Sequence, residues 1–258
     1  MGKGFHQSPV TSHQSRLSSL FGGLLDLLFP PLCHVCKEFI GRGEKIHLCP
    51  TCSAGFTPIG TPLCTVCGTP FLTEGGMDHP CGRCLSHPPP YDAVRAAFLF
   101  HGPARELIHR FKYNRQIQLR RPLGLLLAER LAPVVTQWGV DLLLPVPLHR
   151  RRLRQRGFNQ AALLVELLAG EWRLPLARHL LQRTRWTEPQ VNLPAHERPG
   201  NVKGAFALRR PEEVKGRRIV LVDDVFTTGS TIAECSRVLK RAGASAVYAV
   251  TLARAVGE

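Results

Sequence analysis

The sequence predicts an α/β fold, a parallel sheet flanked by helices, preceded by a small cysteine-rich domain held together by metal. Three observations carry this. Residues 219–231, IVLVDDVFTTGST, read as a short buried strand, an acidic pair, and a turn of hydroxyl residues and glycine that opens a helix. Strand-length apolar runs and helix-like stretches follow one another from residue 93 to residue 253, as in βαβ units. Eight of the nine cysteines fall in four CxxC pairs between residues 33 and 84.

A chain of 258 residues has room for one full domain and a smaller one. Hydrophobic residues at 44% and charged residues at 21% are those of a folded protein, which excludes a disordered or fibrous chain. Thirty-four Lys and Arg against 19 Asp and Glu leave a formal charge of +15, which favours anionic partners such as nucleic acid, phosphorylated metabolites or an acidic protein. No run of about twenty apolar residues occurs, so no membrane span is expected and the expected location is cytoplasmic.

The expected organisation is a leader with a short amphipathic helix over 1–30, a double ribbon over 31–90 and an α/β domain over 91–258. Residues 1–16 are polar and aperiodic, as a disordered leader would be. Leu17, Leu20, Phe21, Leu24, Leu27 and Leu28 share one helical face, the mark of a short docking helix.

The cysteine pairs are Cys33/Cys36, Cys49/Cys52, Cys64/Cys67 and Cys81/Cys84, separated by 12, 11 and 13 residues. Two residues between cysteines let both thiolates of a knuckle reach one tetrahedral ion. So few large apolar groups surround them that metal must supply folding free energy. Eight thiolates fill two zinc sites with four sulfur ligands each. Sequential pairing, the first two pairs on one ion and the last two on another, is favoured; the spacing alone also allows a cross-brace. Disulfides would need an oxidising compartment, for which the sequence carries no signal. Both sites are structural, since thiolates leave no open ligand position. Cys235, alone in a helix, reads as a small buried apolar residue.

After the Pro88–Pro90 stop, Ala93 to Phe100 predicts a strand and Pro103 to Lys112 a helix. Pro122 suits a helix start, and the apolar face of Leu123, Leu126, Leu127 and Leu131 runs on before Pro133. Leu142 to Val146 predicts a strand, followed by PVPLHRRRLRQRGFNQ. There Arg150, Arg151 and Arg156 are candidates to grip a pyrophosphate, because guanidinium forks pair with phosphate oxygens. The same run suits nucleic-acid phosphates, although it holds no aromatic ladder for base stacking. Several of these arginines are expected to serve only as a solvated helix start. Residues 180–206, rich in Pro, Asn and Gly, predict a long loop, with Gln190, Arg198, Asn201 and Lys203 as candidates to close on a ligand.

In the motif, Ile219 to Val222 is the strand, and Asp223 and Asp224 follow at its tip. Val225, Thr227, Thr228, Gly229, Ser230 and Thr231 make the turn, and a helix continues to Arg241. A helix start offers unpaired N–H groups to a phosphate, glycine lets the backbone approach it, and the hydroxyls donate further bonds. Carboxylates are acceptors only, suited to sugar hydroxyls. The set points to a phosphorylated sugar. It is not a P-loop, for no lysine follows Gly229.

This motif closely resembles the 5-phosphoribosyl-1-pyrophosphate (PRPP) motif of type I phosphoribosyltransferases. The order of ribbon, PVPLHRRRLRQRGFNQ, the Gln190–Asn201–Phe206 stretch and VLVDDVFTTGST resembles the ComF family from about Leu24 to Arg254. That resemblance implies a type I phosphoribosyltransferase-like domain behind a double zinc ribbon, PRPP bound with Mg²⁺, and Asp223 and Asp224 on the ribose. It also implies a part in DNA uptake, with single-stranded DNA or an uptake protein as partner. One departure is expected: only the five residues Arg254 to Glu258 follow the last strand, leaving no hood to select a nucleobase.

Overall fold

The computed structural model describes residues 30–41, 46–73, 75–188, 193–194 and 196–256. The expected leader, the docking helix up to residue 29 and Gln190 lie outside the described residues. From residue 93 the chain builds β1 (Ala93–Leu99), α3 (Gly102–Tyr113), α4 (Arg120–Trp138), β2 (Leu142–Pro145), α5 (Arg150–Arg156) and α6 (Gln160–Trp172). It continues with β3 (Leu181–Arg183), α7 (Arg198–Val202), β4 (Phe206–Leu208), β5 (Arg218–Phe226), α8 (Ser230–Arg241) and β6 (Ala246–Arg254). Two short helices precede these in the cysteine-rich segment, α1 (Pro50–Ala54) and α2 (Gly82–Ser86).

Four strands form a parallel sheet in the order β1-β6-β5-β2. Ile219, Val220, Leu221 and Val222 of β5 are fully buried, as a strand covered on both faces requires. Val220, Val222, Val250 and Leu252 face a layer shared with α3, α4 and α6. Ile219, Leu221, Val247 and Ala249 face Ile232, Cys235 and Leu239 of α8. Cys235 is thus the buried apolar residue its helical setting suggested.

Three elements differ from expectation. α4 continues through Pro133 to Trp138, because Leu131 and Val135 on either side of the proline are buried in the same layer. That packing outweighs the roughly 3 kcal/mol a mid-helix proline costs. The 180–206 segment is not one long loop. It opens with β3, which pairs antiparallel with β4 just beyond it, and it carries the helical turn α7 against α8. Strand β5 runs four residues past its apolar core, so Asp223 and Asp224 lie inside the sheet, with Asp223 opposite Thr251 of β6.

The cysteine-rich segment covers the sheet's β1 edge. Ile59 donates to the Ala97 carbonyl and Leu99 to that of Thr57, at 3.1 and 2.9 Å. The otherwise open row of backbone groups is thereby satisfied. The cysteine segment straddles that edge: Cys33, Ile40, Leu48 and Cys49 enter the α3–α4 layer, while Cys64, Cys67 and Cys84 enter the α8 layer.

Candidate functional site

Two four-sulfur clusters come first in the chain. The Sγ atoms of Cys33, Cys36, Cys49 and Cys52 lie within 4.8 Å of one another, and so do those of Cys64, Cys67, Cys81 and Cys84. The pairing is therefore sequential, not cross-braced. Sulfur pairs at 3.6 Å (Cys36 and Cys49) and 3.8 Å (Cys67 and Cys81) match the ~3.8 Å edge of a tetrahedron with Zn–S bonds of about 2.3 Å. Backbone N–H groups point at the sulfurs, as a bound thiolate needs: Cys49 to Cys33 at 3.4 Å and Cys81 to Cys64 at 3.2 Å. The donor set fits zinc in both places.

The second site lies at the carboxyl ends of β5 and β2, the place where open parallel sheets take ligands. Residues of the motif line a small pocket there: Asp223, Val225, Thr227, Gly229, Ser230 and Thr231, floored by Phe226 and Ile232. Gly229 holds φ +79°, and a Cβ on it would come within 2.5 Å of the Phe226 ring. Only glycine fits, for both reasons. The Thr228 hydroxyl shares a 2.7 Å hydrogen bond with that of Ser230, which braces the turn. Helix α8 opens directly behind it at Ser230.

Successive residues of a strand point to opposite faces, and the acidic pair divides accordingly. Asp223 lines the pocket. Asp224, buried, turns to the α3 face, where Lys112 Nζ lies 2.8 Å from its Oδ1. Burial, and next to it the Asp224 carboxylate, push the Asp223 carboxyl up to about 7, against the pull of Lys112. Arg183 on β3, held to the Thr187 hydroxyl and stacked over Phe206, adds a weaker positive charge that also pulls the Asp223 carboxyl down. The Asp224 N–H also donates to Asp223 Oδ1, at 2.9 Å.

The arginine run forms α5, one strand away, capped by His149, whose Nδ1 accepts from the Arg151 N–H at 3.2 Å. Arg156 is half-buried over the Tyr113 ring, and its charge faces Asp224. Arg151 lies 4.8 Å above Trp186, which His149 meets edge-on. Arg150 is exposed at the first helical position. Of the three arginines singled out, the fold thus brings Arg156 toward the carboxylates and leaves Arg150 and Arg151 on the rim. Asn201 and Arg198 serve the segment itself, donating to the Glu188 and Leu193 carbonyls.

Lys112, Arg183, Trp186, Arg83 and Arg254 were not legible as site residues. Arg83 on α2 reaches the motif turn, its Nη2 donating to the Thr228 carbonyl at 2.9 Å. Arg254, buried at the end of β6, lies 4.6 Å over Phe226. Among the described residues no helix is long and apolar enough to cross a membrane.

Known proteins resemble the chain in both of its parts. The double zinc ribbon domain model matches residues 24–85, and the phosphoribosyl transferase domain model matches residues 155–257. DNA utilization protein YhgH of Escherichia coli (strain K12) is 37% identical over 231 residues, 88% of this chain and 99% of that one. Competence protein F of Haemophilus influenzae is 36% identical over 198 residues, 75% of this chain and 85% of its own. Among solved structures, purine phosphoribosyltransferase from Pyrococcus horikoshii aligns over 51% of this chain and 71% of its own, with 21% identity and a TM-score of 0.31. Two four-cysteine clusters, matches to the double zinc ribbon and phosphoribosyl transferase domain models, and relatives 36–37% identical over most of their length place the chain in the ComF family.

Proposed function

We propose that the chain binds PRPP with Mg²⁺ at the end of β5 and transfers its phosphoribosyl group, with release of pyrophosphate, in the handling of incoming DNA. The observation that carries this reading is the pocket in which Gly229, Ser230, Thr231 and the start of α8 adjoin Asp223. The turn takes the 5′-phosphate, and Asp223 accepts from a ribose hydroxyl. The C1–O bond to pyrophosphate breaks as the acceptor bonds to C1, and the acceptor loses a proton. Asp223 stabilises the positive charge that builds on the sugar. Mg²⁺ favours one or two carboxylates plus substrate phosphates, a demand that Asp223 meets; when bound it would neutralise the leaving pyrophosphate. Arg156, whose charge faces Asp224, and the rim residues Arg150 and Arg151 are the candidates to bind the leaving pyrophosphate.

The relatives named for DNA utilization and competence support the DNA-handling part. Two four-thiolate metal sites in place of disulfides suit a reducing compartment, which supports a cytoplasmic location. The boundaries 31–90 for the ribbon and 91–258 for the catalytic-type domain belong to the same reading.

Calorimetry tests it. Asp223→Asn with Asp224→Asn is expected to abolish Mg-dependent PRPP binding, and unchanged affinity refutes the assignment. Affinity for the sugar should rise as pH passes through about 7, where Asp223 ionises. Fold stability should move the other way. A carboxyl raised in the folded state binds a proton that the unfolded chain has lost, so stability falls from about pH 4 to about pH 7.

A second reading has its own observation. Trp186 supplies beside Arg151 the aromatic face that the arginine run lacks in sequence. A non-catalytic adaptor for single-stranded DNA, with PRPP as regulator, would use that face. Pyrophosphate release that depends on Asp223, measured with nucleobase, glutamine and single-stranded DNA as acceptors, separates the two.

A further inference from the structure

We infer that the second cysteine cluster and the phosphate turn are coupled: metal at that cluster raises the turn's affinity for a phosphorylated sugar, and the sugar phosphate raises the cluster's affinity for metal. The inference rests on the reading of residues 227–231 as a phosphate site. Two routes leave the second cluster and meet on this turn. One runs from Cys84 to its neighbour Arg83, whose guanidinium donates to the Thr228 carbonyl at 2.9 Å. The other runs from Cys67, whose carbonyl accepts from Arg254 Nη1 at 2.5 Å and whose sulfur lies 3.8 Å from Nη2. Arg254 also donates to the Thr69 hydroxyl and covers Phe226, the ring that meets Gly229. Tyr91, in the same apolar layer as the cluster, meets Phe226 edge-on at 6.3 Å.

Metal makes these contacts dependable. A ribbon of this composition keeps its shape only while its thiolates hold an ion. Without it, Arg83 loses its platform, and the buried Arg254 charge loses the Cys67 carbonyl. The turn must then be ordered by the ligand itself, which weakens binding. Linkage makes the effect reciprocal and equal in both directions. The first cluster offers an internal control. Arg110 of α3 donates to its His34 carbonyl at 2.6 Å and pairs with Glu106, so that contact reaches α3, whose Lys112 meets Asp224 on the face away from the phosphate turn.

The test uses the full zinc-loaded chain with ribose 5-phosphate and with PRPP plus Mg²⁺. Arg83→Ala, which leaves all eight thiolates in place, should weaken ribose 5-phosphate about five- to tenfold, within the usual range of coupling energies, at unchanged zinc content. Cys84→Ser should weaken it further, whereas Cys36→Ser and Arg110→Ala should stay within about twofold, the size of effects that bypass the coupled element. Saturating ribose 5-phosphate should slow zinc transfer to a chromogenic chelator from one cluster only, and Arg83→Ala should reduce that protection, leaving what the Arg254 route carries. Equal affinity of Arg83→Ala and wild type, or equal losses for Cys36→Ser and Cys84→Ser, overturns the coupling. If the wild-type chain binds neither sugar phosphate, the phosphate reading falls, and amide exchange then judges the coupling. Faster exchange at residues 228–231 in Arg83→Ala and Cys84→Ser but not in Cys36→Ser supports it; equal exchange in all three overturns it.

Discussion

In the first ribbon the residue after the second cysteine is Lys37, at φ +67°; in the second ribbon the same place is Gly68, at φ +70°. The turns around them are otherwise alike. Cys33 and Cys64 each donate, at 2.8 Å, to the carbonyl five residues on, Glu38 and Thr69. Lys37 and Gly68 donate back to Cys33 and Cys64, at 3.0 and 2.9 Å. What differs is the neighbour. Lys37 is exposed and its Nζ reaches the His34 carbonyl. A Cβ on Gly68 would come within 2.5 Å of the Val94 carbonyl oxygen of β1. A left-handed turn tolerates a side chain where it faces water and demands glycine where a strand lies against it. The short helices differ likewise: the residue before the last cysteine is the exposed Thr51 in one and Arg83, bonded to the motif turn, in the other. One ribbon is joined to the α3–α4 layer of the sheet, the other to the α8 layer and, through Arg83, to the turn at Thr228.

The sharpest break of this comparison is to remove one sulfur from each cluster. Cys64→Ser should lower stability by about 3–5 kcal/mol, because the freed ribbon leaves the Arg254 charge buried without its acceptors. Cys33→Ser should cost about half as much, since it strands no buried charge. Denaturant midpoints and zinc content measure both, and equal losses would erase the distinction. Next in size, Gly68→Ala should cost about 2–4 kcal/mol through the clash with a backbone oxygen and the positive φ. A shift within about 0.5 kcal/mol, the range of ordinary surface changes, would mean that β1 does not hold this turn. Third, a chelator should strip the first cluster before the second, for Cys36 is exposed while Cys67 is buried. A single release phase would count against that order. The smallest effect belongs to Lys37→Gly, which relieves a non-glycine left-handed residue and should change stability by no more than about 1 kcal/mol, in the stabilising direction.

Local chemistry was readable where few residues carry it. The CxxC spacing named the cysteines that cluster, and the run from Ile219 to Thr231 named the strand, the turn and the helix behind it. Its apolar run stops at Val222, which in the sequence marks the end of the strand; pairing with β6 carries it on to Phe226, because hydrogen bonding to a neighbour does not require an apolar side chain. The partners of the site were invisible for a related reason. Lys112 meets Asp224 across the sheet's α3 face, and Arg83 meets a carbonyl 145 residues away. A charged residue on a helix reads as solvated unless something distant is known to approach it.

The sequence by itself determined which cysteines cluster and where the strand, glycine turn and helix of the motif follow one another, since both depend on residues within a few positions of one another. The tertiary structure alone decided how those sites relate. It settled the sequential pairing of the cysteines, put the two carboxylates on opposite faces, brought Trp186 to Arg151, and joined the second cluster to the motif through Arg83 and Arg254. Each of these is a meeting of groups far apart in the chain. Packing against a common sheet brings them together, and no local periodicity records it.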